Sequence, residues 1–260
     1  AFPLICHSME KTDIKAAIVY LVYSIFGATL VLIGIVFLSG LVEEMAFVLG
    51  GSLSHLIMQE NKTLLLVITI VMIIGFGCKA GMFPLHAWLP VAHPAAPAPF
   101  SALLSALITK AGVLGIIRVV YYIIGVQHLQ GTWVQTVWMS LALITVFMGS
   151  MLAFGEPDLK RRLAFSSNSQ ISYILFGLSV MTTGGLMAAL LQLYYHAFAK
   201  TILFLCAGAL IELTGGHKVK EFRGCGRHLP VIMFCFTVAS LSLIGIPPLG
   251  GFISKWHLIT

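Results

Sequence analysis

Seven stretches of this chain are candidates to cross a lipid bilayer, and no other feature narrows its fold as much. A helix needs about 20 mostly apolar residues to cover the hydrocarbon core. Residues 14–38, 100–124, 133–154 and 186–212 satisfy that outright. Residues 64–93 and 230–260 do so with an interruption, and 168–182 is short with a polar start. No alternating strand pattern competes, and an open sheet cannot span lipid because its edge groups would stay unpaired. The expected fold is an all-α membrane protein of about seven transmembrane helices, two of them discontinuous, in a single transmembrane domain over 1–260.

Composition agrees. Hydrophobic residues make up 59% of the 260 and charged residues only 9%, whereas a soluble domain carries roughly a quarter charged residues. The net charge of +6 does not mark a nucleic-acid binder, because several basic residues lie inside apolar runs and most others fall in two short loops. Five cysteines, Cys6, Cys78, Cys206, Cys225 and Cys235, form no CxxC pair. That excludes a disulfide framework or a zinc site as the organising feature, and Cys78, Cys206 and Cys235 read as small packing residues. The chain opens on Ala1-Phe2-Pro3-Leu4-Ile5, like the tail of an apolar segment, and stops at Leu258-Ile259-Thr260 without a polar tail. It is expected to be a fragment lacking flanking helices.

The loops test the span count. Lys11 and Lys15 precede the first span; 155–167 holds Lys160, Arg161 and Arg162, and 214–229 holds Lys218, Lys220, Arg223 and Arg227. The 39–63 loop is acidic, with Glu43, Glu44 and Glu60 against Lys62, and 125–132 and 183–185 carry no Lys or Arg. Seven spans place every basic segment on one side and the others opposite, save the uncharged 93–99 turn. Lys and Arg favour the cytoplasmic side, so the N-terminal edge is expected there.

Within the spans stand Lys79, Lys110, Lys200, Lys255, Arg118 and His196. A charge at the bilayer centre costs at least roughly 2.5–3.5 kcal/mol on insertion scales, so each calls for a function or a partner. Snorkelling of the head group to the interface accounts for Arg118, near the end of its span. It does not account for Lys79, expected ~22 Å into its span at ~1.5 Å per residue, nor for Lys110 between Leu107-Ile108 and Val113-Leu114. His196 and Lys200 share a helix face at i, i+4, a pairing suited to proton relay. The structural alternative is that both are hydrogen-bonded to nearby backbone or hydroxyl groups.

Two spans are broken beside a lysine. Gly75, Gly77, Gly81 and Pro84 surround Lys79, and Gly245-Ile246-Pro247-Pro248-Leu249-Gly250-Gly251 precedes Lys255. Proline disrupts the helix, and the freed backbone groups need partners in protein or in a wet cavity. Paired interruptions point to an ion-transport site; simple kinks would not explain a lysine at each. No Asp or Glu lies deep in any span, Glu212 being at a helix end. The carboxylate that buried cations require is expected from outside this chain.

Several motifs resemble one superfamily. They are Lys79-Ala80-Gly81-Met82-Phe83-Pro84-Leu85-His86-Ala87-Trp88-Leu89-Pro90, then Ala92-His93-Pro94 and Ser101-Ala102-Leu103-Leu104. Asp158-Leu159-Lys160-Arg161-Arg162-Leu163-Ala164-Phe165-Ser166-Ser167 with Ser169-Gln170, His196-Ala197-Phe198-Ala199-Lys200, and Gly245-Ile246-Pro247-Pro248 with Gly251-Phe252-Ile253-Ser254-Lys255 complete the set. Together they resemble the antiporter-like subunits shared by respiratory complex I, Mrp-type sodium/proton antiporters and membrane-bound energy-converting hydrogenases. The resemblance implies two inverted repeats, each with one broken helix: 14–124 would be the end of the first and 133–260 most of the second. It also implies a proton path through Lys79, Lys110, His196, Lys200 and Lys255, with Gly81, Pro84, Pro247, Pro248, Gly250 and Gly251 as broken-helix elements. The family's glutamate partner of the first lysine has no match here. Val91 stands where relatives often carry aspartate, and Lys255-Trp256 leans toward the Mrp and hydrogenase branches.

The resulting expectation is a proton-translocating subunit of a redox-driven membrane complex, of the NADH-quinone oxidoreductase or hydrogenase type. The alternative is a subunit of a multisubunit sodium/proton antiporter without redox chemistry, and a third reading is a structural subunit with a degenerate channel. The chain has no cysteine cluster, dinucleotide fingerprint or haem motif, so no cofactor or metal is expected in it, and any oxidoreductase activity would belong to the complex. Expected partners are other membrane subunits, the lipid bilayer, and protons or sodium, in a bacterial or archaeal cytoplasmic membrane or an energy-transducing organelle membrane.

Overall fold

The computed structural model describes residues 2–7, 10–41, 47, 48, 50–53 and 60–259. Glu43 and Glu44 of the acidic loop lie outside the described residues. Helices dominate: α1 is Lys11–Leu41, α2 Lys62–Ala80, α3 Leu89–Ala95, α4 Ala98–Ile124, α5 Trp133–Gly155, α6 Leu159–Ser179, α7 Thr183–Thr214, α8 Pro230–Ile244 and α9 Gly250–Ile259. Five of these, α1, α2, α4, α5 and α7, are long and apolar enough to cross a membrane.

The helix expected over 168–182 begins nine residues earlier, at Leu159. Asp158 starts it by accepting the Arg161 amide at 2.9 Å, an N-cap that satisfies a donor the helix cannot. The basic segment expected as a loop is thus its first turns. Hydropathy makes its polar run look like a span edge because it weighs side chains as if they met lipid. Here Ser167, Asn168, Ser169 and Ser172 are all buried. α6 packs against α3, α4, α5 and α7, so the most polar long helix stands in the middle. α1 does the opposite, turning Ile18, Val22, Ile25, Leu32 and Val36 outward. Apolar outside and polar inside is the arrangement lipid selects.

The ends of the bundle sort as the charge pattern predicts. At one end the two basic segments meet: Leu159 N–H donates to the His217 carbonyl and Val219 N–H to the Pro157 carbonyl, both at 3.0 Å. Asp13, in the first turn of α1, lies within electrostatic reach of Lys160. There Glu221 accepts the amides of His217 and Lys218, which holds its carboxyl below the usual range. At the other end Gln130 and Gln135 donate to the carbonyls of Met181 and Ser179, and Gly50 N–H to that of Tyr121.

Both interruptions follow one backbone plan. α2 stops at Ala80, Gly81 turns left-handed at φ 85°, and the chain re-forms a helix at Leu89. α8 stops at Ile244, Gly245 turns left-handed at φ 89°, and α9 starts at Gly250. Glycine enters this region without the Cβ penalty and closes a helix there. Gly250 and Gly251, expected in the unwound stretch, instead open α9; a Cβ on Gly251 would run into the Ser242 carbonyl. Pro84, and the pair Pro247 and Pro248, occupy the unwound segments, and the Phe83–Pro84 and Pro247–Pro248 peptides are both cis.

Candidate functional site: a buried chain of amines and hydroxyls

Lys110 sits midway along α4 and is 3% exposed. The π-helical turn Leu104–Ile108 just before it widens the helix, a feature frequent at functional positions. Its Nζ donates to the Ser105 carbonyl five residues back, an oxygen that also accepts Thr109 Oγ1 at 3.0 Å. Ser105 Oγ lies 3.0 Å from Ser167 Oγ on α6. Ser101, Ser105 and Thr109, all fully buried, follow one another at i, i+4 and so line a single face of α4.

Lys200, on α7, has no exposed surface. Its Nζ donates to the Leu163 carbonyl at 2.8 Å and to Ser166 Oγ, and stands 6.0 Å from the centre of the Phe204 ring. His93 of α3 stacks on the same ring, 4.5 Å from its centre and nearly parallel. His196, one turn before Lys200, is buried, and among the described residues neither of its ring nitrogens has a hydrogen-bond partner. The same holds for both nitrogens of His93 and for the Asn168 carboxamide. The structural alternative for the pair is thus met by Lys200 and not by His196. Buried polar atoms without partners are costly, and bound water is the ordinary remedy in a polar site. His196 is also within electrostatic reach of Lys110, Lys200 and Lys255.

A second polar line leads to the later break. Gln192 donates to Gln170 at 2.7 Å, Ser254 to Gln192 at 2.5 Å, and Ser254 also to the Gly251 carbonyl. Lys255 follows, its Nζ donating to the carbonyls of Leu243 and Ile244 at 2.6 and 3.1 Å and lying 5.5 Å above the Tyr173 ring.

Lys79 departs from expectation. It is placed beside the first break as predicted, yet it is exposed rather than buried. It points into an outward groove of about 300 Å³ shared with Tyr23, Ser24 and Gly27 of α1. Depth counted along the sequence gives position along the helix axis but not which side of the bundle a residue faces. Arg118 is exposed as well, stacking over Phe47 at 5.7 Å. Among the described residues no carboxylate is buried, so the amines meet only carbonyl, hydroxyl and aromatic groups. Ser105, Gln192, His93 and Asn168 escape a sequence reading that weighs charge; the i, i+4 hydroxyls of α4 are the signal available.

A bundle that is apolar outside, with lysines strung along a polar centre between two broken helices, defines an integral membrane protein of the antiporter-like class. The family model described as NADH:quinone oxidoreductase/Mrp antiporter, TM, matches residues 1–260, and the chain belongs to that family. It is 34% identical over 250 residues to NADH-quinone oxidoreductase subunit N of Desulforudis audaxviator, covering 96% of this chain and 49% of that one. It is 32% identical to a Na(+)/H(+) antiporter subunit of Bacillus subtilis, covering 99% and 51%. A solved Mrp complex from a Dietzia species contains a chain that superimposes with a TM-score of 0.86 at 29% identity, covering 96% of this chain and 45% of that one. The chain spans about half the length of the curated relatives it matches.

Proposed function

We propose that this chain is the proton-conducting portion of an antiporter-like subunit in a redox-driven membrane complex of the NADH-quinone oxidoreductase or hydrogenase type. The observation that supports this best is the linked pair Lys110 and Lys200. They are two buried amines on different helices, hydrogen-bonded among the described residues to carbonyl and hydroxyl oxygens and joined through Ser105 and Ser167. Burying such groups is costly, and ion traffic is the function that accounts for it. Protons would pass from Lys79 to Lys110, then to the Lys200 and His196 group, and leave beside Lys255. In a low-dielectric interior the charge on one amine changes the proton affinity of the next. The outward Lys79 suits a carboxylate supplied from beyond residues 1–260, and the redox centres would belong to other subunits. The two lysine-bearing breaks suit a division into two repeats near residues 124–133, with the basic end cytoplasmic.

Sodium/proton exchange in a multisubunit antiporter is the second reading, favoured by the likeness to the Bacillus subtilis antiporter protein and to the Mrp complex. Lys110→Ala in the intact complex, reconstituted in vesicles, tests both. Proton translocation should fall by about 100-fold or more, the usual scale for losing a proton-transfer group; an undiminished rate overturns the path. A rate that depends on sodium and needs no electron donor would select the second reading.

A further inference from the structure

We propose that Ser105 and Ser167 form a hydroxyl switch that reports the charge state of Lys200 to Lys110. The inference rests on the proton path proposed above. Its basis is the Leu163 carbonyl, which faces more donors than it can accept. Lys200 Nζ reaches it at 2.8 Å, Ser166 Oγ at 2.9 Å and Ser167 Oγ at 3.0 Å. A carbonyl oxygen offers two lone pairs, and in a helix the amide four residues on already draws on it. One lone pair is thus left for three side-chain donors, and two of them must turn away; Ser166 Oγ also meets Lys200 Nζ. Among the described residues, Ser167 is the one serine of the two with a second hydroxyl in reach, Ser105 Oγ at 3.0 Å.

The charge on Lys200 decides which donor keeps the remaining lone pair. As an ammonium it makes the stronger, charge-assisted bond and takes the carbonyl, so Ser167 turns its hydrogen to Ser105 Oγ. As a neutral amine it competes weakly and its own lone pair accepts the Ser166 hydrogen; Ser167 returns to Leu163 and Ser105 donates to Ser167 instead. Every hydroxyl keeps its hydrogen; the Ser105–Ser167 hydrogen bond reverses direction as the Ser167–Leu163 bond is made or broken. That reversal turns a dipole on the residue whose own carbonyl holds Lys110 Nζ, inside a core where dipoles are felt strongly. Among the described residues the titratable groups facing Lys200 are bases: Lys110 of α4, His93 of α3 and His196 of α7. Lys255 of α9 and Lys160 of α6 act at one remove, through His196 and His93. Lys200 is thus the nearest source of a changing charge for the Leu163 carbonyl.

The test uses the intact complex in vesicles, with proton translocation measured against pH for Ser105→Ala, Ser167→Ala and the double variant. Subunit content of the purified complex confirms assembly, and either single variant suffices if the other fails to assemble. Each single variant should lose about 2- to 10-fold in rate, the scale of one hydrogen bond, and show a shallower pH dependence. The double variant should lose no more than either alone, as expected of two residues acting as one unit. Ser172→Ala removes a buried hydroxyl that, among the described residues, bonds the Asn168 carbonyl alone, and should keep the wild-type curve. Additive losses, wild-type curves in both single variants, or equal flattening by Ser172→Ala overturn the switch. A wild-type rate for Lys110→Ala would instead sink the proton path itself, so the two failures are distinguishable.

Discussion

At the first break the end of α2 is met by an indole, whereas at the second the end of α8 is met by an amine. Trp88 Nε1 donates to the Cys78 carbonyl at 2.8 Å, and Lys255 Nζ donates to Leu243 and Ile244. A helix that stops inside a bundle leaves carbonyls that must find donors, and both breaks comply. The consequence differs. Because Trp88 caps the first break, Lys79 is left to face outward with no hydrogen bond among the described residues. Lys255 has to cap the second break itself and is held there. The same motif, a lysine beside a broken helix, therefore yields an outward-facing amine in one half and an anchored one in the other.

Trp88 offers the largest way to break this comparison. It is 2% exposed and packs edge-on against Tyr20. Trp88→Ala should cost about 3–5 kcal/mol, read as a lower unfolding temperature of the purified complex. Trp88→Phe keeps most of the packing but leaves the Cys78 carbonyl only the longer bond from the Gly81 amide at 3.3 Å, and should cost about 0.5–1.5 kcal/mol, the scale of one hydrogen bond. Full stability in the Phe variant would show that the indole does no capping.

Next come the two left-handed glycines. Alanine at either should cost about 1–2 kcal/mol for its backbone conformation. Gly81→Ala should cost more than Gly245→Ala by about 1 kcal/mol or more. Its Cβ would press on Leu89 at 2.5 Å and on the Asn168 carboxamide at 3.0 Å, whereas at Gly245 the nearest atom, Lys255 Cδ, stands 3.0 Å away. Equal losses in a thermal melt would mean that the first break is packed no more tightly than the second.

The smallest expected effect concerns the lysines themselves. Lys255→Met removes the donor from two carbonyls in a half-exposed place and should cost about 1 kcal/mol. Lys79→Met should stay within about 0.5 kcal/mol, as outward substitutions without a partner do. Both should lose translocation, so stability and activity separate at Lys79 but fall together at Lys255. Matching melts for the two variants would erase the difference between the two breaks.

The long apolar helices, the two interruptions, the gathering of basic segments at one end and the burial of Lys110, His196 and Lys200 were all legible in the residues. Each follows from a local rule: bilayer thickness sets span length, proline and glycine stop helices, and charge avoids lipid unless a function or partner offsets the cost. Where α6 starts was not legible, because the basic and serine-bearing stretch 159–167 looks like a loop until neighbouring helices surround it. Nor was the outward turn of Lys79, since the sequence gives depth along a helix but not which neighbour covers a given face. The choice between Trp88 and Lys255 as caps was equally hidden, as it depends on which donor the fold returns to a broken end. Local chemistry thus determined which residues are costly to bury; only packing in three dimensions decided which of them meet, because hydrogen bonds between helices require positions that no spacing along the chain specifies.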